Sequence, residues 1–176
     1  MSSKVYFKPV SAKAPADEIC RTAGELLSAY LERENVQLEK KIPLKVHFGE
    51  RGNRTYLVPH TYDAIIDLLE KRGVESFFAE TSVLYGGERF NREKHLKLAQ
   101  AHGFTRIPAV IADGAHGEEA EDVEVNLKYF RYCSLGKLLA DSPQTLVLSH
   151  FKGHMLAGFG GTTSPINAGN VSNKGF

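Results

Sequence analysis

Leu44-Lys45-Val46-His47-Phe48 puts apolar side chains at 44, 46 and 48 and polar ones at 45 and 47. That period of two reads as a strand, with Lys45 and His47 on the face opposite Val46. Upstream, Ile19, Ala23, Leu26, Leu27 and Tyr30 have the spacing of an amphipathic helix from Asp17 to about Glu32, and Val5-Tyr6-Phe7 reads as a short first strand. Downstream, Thr61 suits the cap of a helix running to Arg72, which Gly73 stops. Val74 to Ala79 is the next strand, and Asn91 caps a third helix through His102. Ile107 to Ala112 reads as a strand, and Asp122–Leu127 with Tyr129–Cys133 as a hairpin. A short helix follows over Gly136–Asp141, then a last strand over Thr145–Ser149.

Helices between short apolar strands predict an α/β fold: a mainly parallel or mixed sheet, helices on both faces, one domain over 1–161. The tail 162–176 is rich in Gly, Asn, Ser and Thr, carries no periodicity, and is expected to be irregular or flexible.

The chain has 176 residues, 42% apolar and 24% charged, ordinary for a globular protein. Its 22 basic and 21 acidic residues leave no general polyanion-binding charge, so nucleic acid is not an expected partner. No apolar run approaches the roughly 20 residues that span a bilayer, and the N-terminus lacks the apolar core of a secretory signal. Two cysteines, Cys20 and Cys133, stand far apart in sequence, and two cannot hold a four-cysteine cluster. A cytoplasmic, reducing location fits these features best.

Thr145-Leu-Val-Leu-Ser-His-Phe-Lys-Gly-His-Met-Leu-Ala-Gly-Phe-Gly-Gly161 runs a strand into a loop with His150, His154, Lys152 and four glycines. Glycine lets a backbone approach a ligand closely. Ligands of open α/β sheets bind outside the carboxyl ends of the strands. Four glycine-bearing loops should share that rim: His47 to Asn53, Glu80 to Arg89, Asp113 to Gly117, and His150 to Gly161.

His150 and His154 are four apart; on a helix both imidazoles would face one metal ion. Against that stands Gly153 and the ordinary reading of one backbone-bonded and one exposed histidine. His47 reaches the rim or is satisfied under a helix. Arg51 and Arg89 have paired donors for a carboxylate or phosphate, although loop arginines are usually solvated. Lys152 is an anion ligand, a proton-transfer group or simply exposed. Glu50, Glu80 and Asp113 suit acid, base or metal-ligand roles as well as ordinary caps. His60, His95 and His102 read as structural, and Glu118 to Asp122 as a solvated acidic turn.

Lys45-Val-His-Phe-Gly-Glu50 with Gly52-Asn53, Glu80-Thr81 with Leu84-Tyr85-Gly86 and Arg89, His102-Gly-Phe104, and Ser149-His-Phe-Lys-Gly-His154 with Ala157-Gly-Phe-Gly-Gly161 together resemble the uncharacterised Fe–S-centre protein family, a domain of unknown function. The resemblance runs from about Val5 to Gly161. It implies a ferredoxin-like iron–sulfur module in many members, but the clustered cysteines are missing here, so no cluster is expected in this chain. A missing ferredoxin-like domain or partner is the implied counterpart. Where similar members continue Gly-Gly-Ala-x-Lys-Asn, this chain reads Gly160-Gly161-Thr162-Thr163-Ser164-Pro165, with Ser164 in the lysine position. More distantly, His154-Met-Leu-Ala-Gly-Phe-Gly-Gly161 is similar to a loop of lactate racemase and its relatives, which implies a catalytic role for His154. Ser164 cannot supply the amine that tethers the nickel-pincer cofactor there.

These readings converge on a strand-end site for a small anionic ligand or a divalent transition metal. Catalytic roles fall to His154, His150 and Lys152; ligand contacts to His47, Glu50, Asn53, Glu80, Thr81, Arg89, Gly158, Gly160 and Gly161; metal ligation to His47, His150 and His154. The chemistry expected is oxidoreductase- or isomerase-like, or else non-catalytic ligand binding or electron transfer with a cluster-bearing partner.

Overall fold

The computed structural model describes residues 4–83, 86–126, 128–129, 131–154 and 158–160; for 152, 154 and 158–160 it describes the backbone alone. The structure is α/β, with a mainly parallel four-stranded sheet. Two compact units make up the chain, Met1–Lys41 with Val58–Ser76, and Ile42–Leu57 with Phe77–Phe176.

In the first unit, α1 (Ala16–Arg33) starts after Pro15, with Asp17 and Glu18 in its first turn and Arg33 in its last, the polarity the helix dipole favours. A 3-10 turn, Pro59–Tyr62, leads into α2 (Asp63–Lys71). The Thr61 hydroxyl donates to Val58 O at 2.6 Å and so does not cap α2. Ile65, Ile66 and Leu69 of α2 are buried, as are Cys20 and Leu31 of α1. A Cβ on Gly24 would lie 2.7 Å from Ala64 Cβ, so the absent side chain lets α1 and α2 meet. The Cys20 sulfur accepts the Ala64 N–H at 3.3 Å, satisfying a donor at the start of α2. Val5-Tyr6-Phe7 is not a strand. It has no ladder partner among the described residues, and Tyr6 instead packs edge-on to Tyr30 and bonds Glu34.

The sheet contains β1 (Lys41–Lys45), β2 (Glu75–Glu80), β3 (Ala109–Ile111) and β6 (Leu146–Val147), in the spatial order β3-β2-β1-β6. β1 starts ahead of the Leu44–Phe48 alternation and admits Pro43. Both its faces are enclosed: Ile42, Pro43, Leu44, Lys45 and Val46 are all buried, as a parallel sheet requires. Pairs Leu44–Leu146 and Lys45–Val147 are parallel, as are Phe78–Ala109 and Glu80–Ile111. Glu75 N–H to Lys40 O and Val46 N–H to Ala79 O climb β1 and β2 in the same sense. Phe104 packs edge-on to Phe48 and Phe78, at centroid distances of 4.9 and 5.3 Å.

Asn91 caps α3 (Arg92–Ala101), its Oδ1 accepting the N–H groups of Glu93 and Lys94. The expected hairpin exists as β4 (Ala120–Glu124) and β5 (Tyr132–Gly136), offset from the predicted bounds, and α4 (Lys137–Ala140) follows. Lys152–His154 (β7) pairs antiparallel with Gly158–Gly160 (β8), a hairpin where the sequence suggests a loop or helical turn. The predicted tail 162–176 lies outside the described residues.

Progress across the sheet runs β1 to β2 to β3, then β6 joins the other side of β1. That reversal makes the carboxyl ends of β1 and β6 the topological switch point.

Two consequences are measurable. Gly24→Leu should cost about 1–3 kcal/mol by overpacking the α1–α2 contact, seen as a lower urea midpoint; an unchanged midpoint contradicts the contact. His60 meets Asp63 through Nδ1 and Asp17 through Nε2, each at 2.6 Å. Carboxylates only accept, so imidazolium is the favoured form, and Asp63, then Asp17, raise the His60 pKa above 6.5. Its stabilisation is full below the unfolded value and lost as pH rises through the higher folded one. The melting-temperature gap between wild type and His60→Gln should therefore be wider at pH 6 than at pH 9; a pH-independent gap contradicts this.

Candidate functional site

Glu80, the last residue of β2, is 3% exposed and gathers the groups around it. Its Oε1 accepts Lys45 Nζ, and the Thr81 N–H at 3.2 Å. Oε2 lies 3.1 Å from His47 Nδ1 and 3.3 Å from Arg89 NH2. Arg89 NH1 lies 3.6 Å from Glu50 Oε2, and Lys45 Nζ also donates to Val46 O at 3.2 Å. One carboxylate at the ends of β1 and β2 thus holds a lysine, a histidine and an arginine.

Burial pushes the Glu80 carboxyl towards neutrality, but Lys45 first, then His47 and Arg89, reverse this and hold its pKa well below 4.5. Glu80 is therefore ionised, and an ionised carboxylate only accepts. His47 Nδ1 must carry the proton it shares with Glu80, which places the neutral ring's lone pair on Nε2. With 23% of its side chain exposed, His47 is the most open of the three basic groups on Glu80, against 1% for Lys45 and 10% for Arg89.

A second buried carboxylate closes the end of β3. Asp113 accepts the Ser82 N–H at 2.8 Å and the Ser82 hydroxyl at 3.1 Å. Burial raises its pKa despite those bonds. Beyond it, Ala115 and His116 N–H donate to Glu118 at 2.8 and 2.6 Å, lowering its pKa to about 2. Glu118 is a loop-closing ligand rather than simply part of a solvated run. His102 Nδ1 donates to Phe48 O at 2.7 Å and its ring stacks on Tyr56, a structural role. His95 is wholly buried and edge-on to Phe48; desolvation lowers its pKa to about 4, so it is neutral.

His47, Glu50, Glu80, Thr81 and Arg89 therefore belong to one cluster. Asn53 stands apart, its Oδ1 accepting the Thr55 N–H at 2.8 Å in a local turn. Arg51 pairs with Glu88 on the surface through a bond of 2.7 Å. The helical spacing argued for His150 and His154 does not hold, because Lys152–His154 is extended and His154 pairs with Gly158. Lys152 pairs with Gly160; the side chains of Lys152 and His154, and all of Gly161, lie outside the described residues. Among the described residues no three His, Cys, Asp or Glu side chains are arranged to hold a metal ion. Lys45 is the member the sequence reading omits. The available signal was a charge flanked by Leu44 and Val46 in a strand enclosed on both sides.

The family model described as Domain of unknown function (DUF362) matches residues 42–175, most of the chain. The chain belongs to that family. The match includes every residue of the Glu80 cluster, whereas α1 precedes it. An uncharacterized protein of Methanocaldococcus jannaschii is 32% identical over 76 residues, covering 41% of this chain and 30% of the relative. No solved structure gives a significant match. A four-cysteine iron–sulfur cluster does not fit a DUF362 chain whose two cysteines are Cys20, buried, and Cys133, half-buried on β5. No described helix is long and apolar enough to cross a membrane.

Removing one partner of a buried ion pair typically costs about 3–5 kcal/mol. Glu80→Gln should fall in that range by urea unfolding at pH 7, and Lys45→Met/Glu80→Gln should lose less than the two single changes summed. The Glu80 contribution is present above about pH 4.5 and vanishes as pH falls through its low folded pKa. The gap between wild type and Glu80→Gln should therefore close in acid. A near-neutral Glu80→Gln at pH 7 would contradict the pairing.

Proposed function

We propose that this domain binds a small oxygen-bearing anion at the carboxyl edge of its sheet, with Arg89 and His47 as contacts and His47 as the proton-transfer group. The observation carrying this reading is the sharing of buried Glu80 by Lys45, His47 and Arg89 beside the switch point. Glu80 fixes the histidine tautomer and, charge-balanced by Lys45, anchors Arg89 through NH2. A guanidinium held this way offers paired donors to a carboxylate or phosphate. His150, Lys152 and His154 follow β6 from the same sheet edge; in this reading they add cationic or acid–base groups, and Gly158 to Gly161 supply backbone contacts.

A metal is the second reading. Nδ1 on a carboxylate is also how a metal-binding imidazole is oriented, and His150 and His154 would complete the ligand set with His47. The chemistry in either case is oxidoreductase- or isomerase-like if the ligand turns over. Without turnover the domain is a binding module or the electron-transfer partner of a ferredoxin-like protein. A cytoplasmic setting suits either.

Calorimetric titration with inorganic phosphate, acetate, malonate and citrate tests the reading. Wild type should bind at least one, and Arg89→Lys should weaken that binding about tenfold or more, the loss of one charge-assisted contact. Binding by none of the four contradicts the anion reading. Stoichiometric nickel, zinc or cobalt in protein purified without chelator, lost in His47→Gln, supports the metal instead.

A further inference from the structure

We propose that Ser149 is a ligand-contacting residue of this site, donating its hydroxyl to an oxygen of the bound anion; the inference rests on the anion reading above. In the unit that carries the site, the His95 ring nitrogens and Ser149 Oγ are buried and meet no hydrogen-bond partner among the described residues. Buried polar groups without partners oppose folding, so each calls for a partner outside the fold's own hydrogen bonds. His95 is sealed off, at 0% exposure. Ser149 is not: as a residue it is partly exposed, and a rotation about one side-chain bond redirects its hydroxyl.

Its place in the fold supplies the second argument. Lys45 pairs with Val147, and the Leu148 N–H donates to Lys45 O at 2.9 Å. Ser149 leaves β6 at the same remove from this pair as His47 leaves β1. The two residues therefore flank the switch point, each two residues beyond its strand, where an open parallel sheet receives its ligand. Arg89 and His47 answer the charge of an anion, and a neutral hydroxyl answers one further oxygen, so the ligand class is a carboxylate or phosphate bound through more than one oxygen.

A hydroxyl without a partner among the described residues can be removed at no cost to their hydrogen bonds, which separates this role from a structural one. Ser149→Ala and Ser149→Thr are titrated with malonate and with inorganic phosphate, and their melting temperatures recorded. The expected result is that Ser149→Ala melts at or above the wild-type temperature yet binds about threefold to tenfold more weakly, the worth of one neutral hydrogen bond. Ser149→Thr, which keeps the hydroxyl, should retain binding. Unaltered binding by Ser149→Ala, or a melting temperature lowered by several degrees, overturns the inference and leaves the site reading standing. Failure of wild type to bind malonate, phosphate, acetate and citrate alike, with Ser149→Ala melting normally, overturns the site reading and this inference together.

Discussion

Glu80 is a carboxylate inside a parallel sheet, and the local structure is arranged around satisfying it. Two charges taken from water need good geometry and further hydrogen bonds before their attraction offsets desolvation. Here that set comprises Lys45, Arg89, His47 and the Thr81 amide. In the same unit Phe104 packs edge-on to Phe48 and to Phe78, two residues before Glu80 on β2.

The parallel sheet makes this possible. Its central strands β1 and β2 are buried beyond their first residue, and the strands' carboxyl ends leave from one edge. Loops after β1, β2, β3 and β6 consequently start together, and two buried carboxylates, Glu80 and Asp113, stand at the ends of neighbouring strands. They differ in what surrounds them. Cations hold Glu80 ionised, whereas Asp113 accepts the neutral amide and hydroxyl of Ser82, and burial raises its pKa. Two buried carboxyl groups at neighbouring strand ends are thus pushed in opposite directions.

Features written in local chemistry were legible in the sequence. Asn91 caps α3 because its acceptor needs only the amides of Glu93 and Lys94. The α/β class followed from alternating helical and strand patterns. Features decided by distant partners were not legible. Thr61 bonds backward to Val58, Val5–Phe7 has strand composition but no ladder, and the spacing of His150 and His154 loses its helical meaning once Lys152–His154 pairs with β8. At the site, Glu80, His47 and Arg89 were placed on the rim by strand ends alone. Lys45 reads from sequence as a strand-face residue, because its partner lies thirty-five positions away. Ser149 has a similar history: it belongs to a recognisable run of residues, but only burial of its hydroxyl sets it apart.

The most direct test is the tautomer of His47, read from imidazole nitrogen-15 shifts in the intact protein above neutral pH. An ionised Glu80 requires the proton on Nδ1 and the lone pair on Nε2, and that spectrum should be lost in Glu80→Gln. A proton resident on Nε2, or a ring averaging freely between tautomers, would contradict the organising role assigned to Glu80.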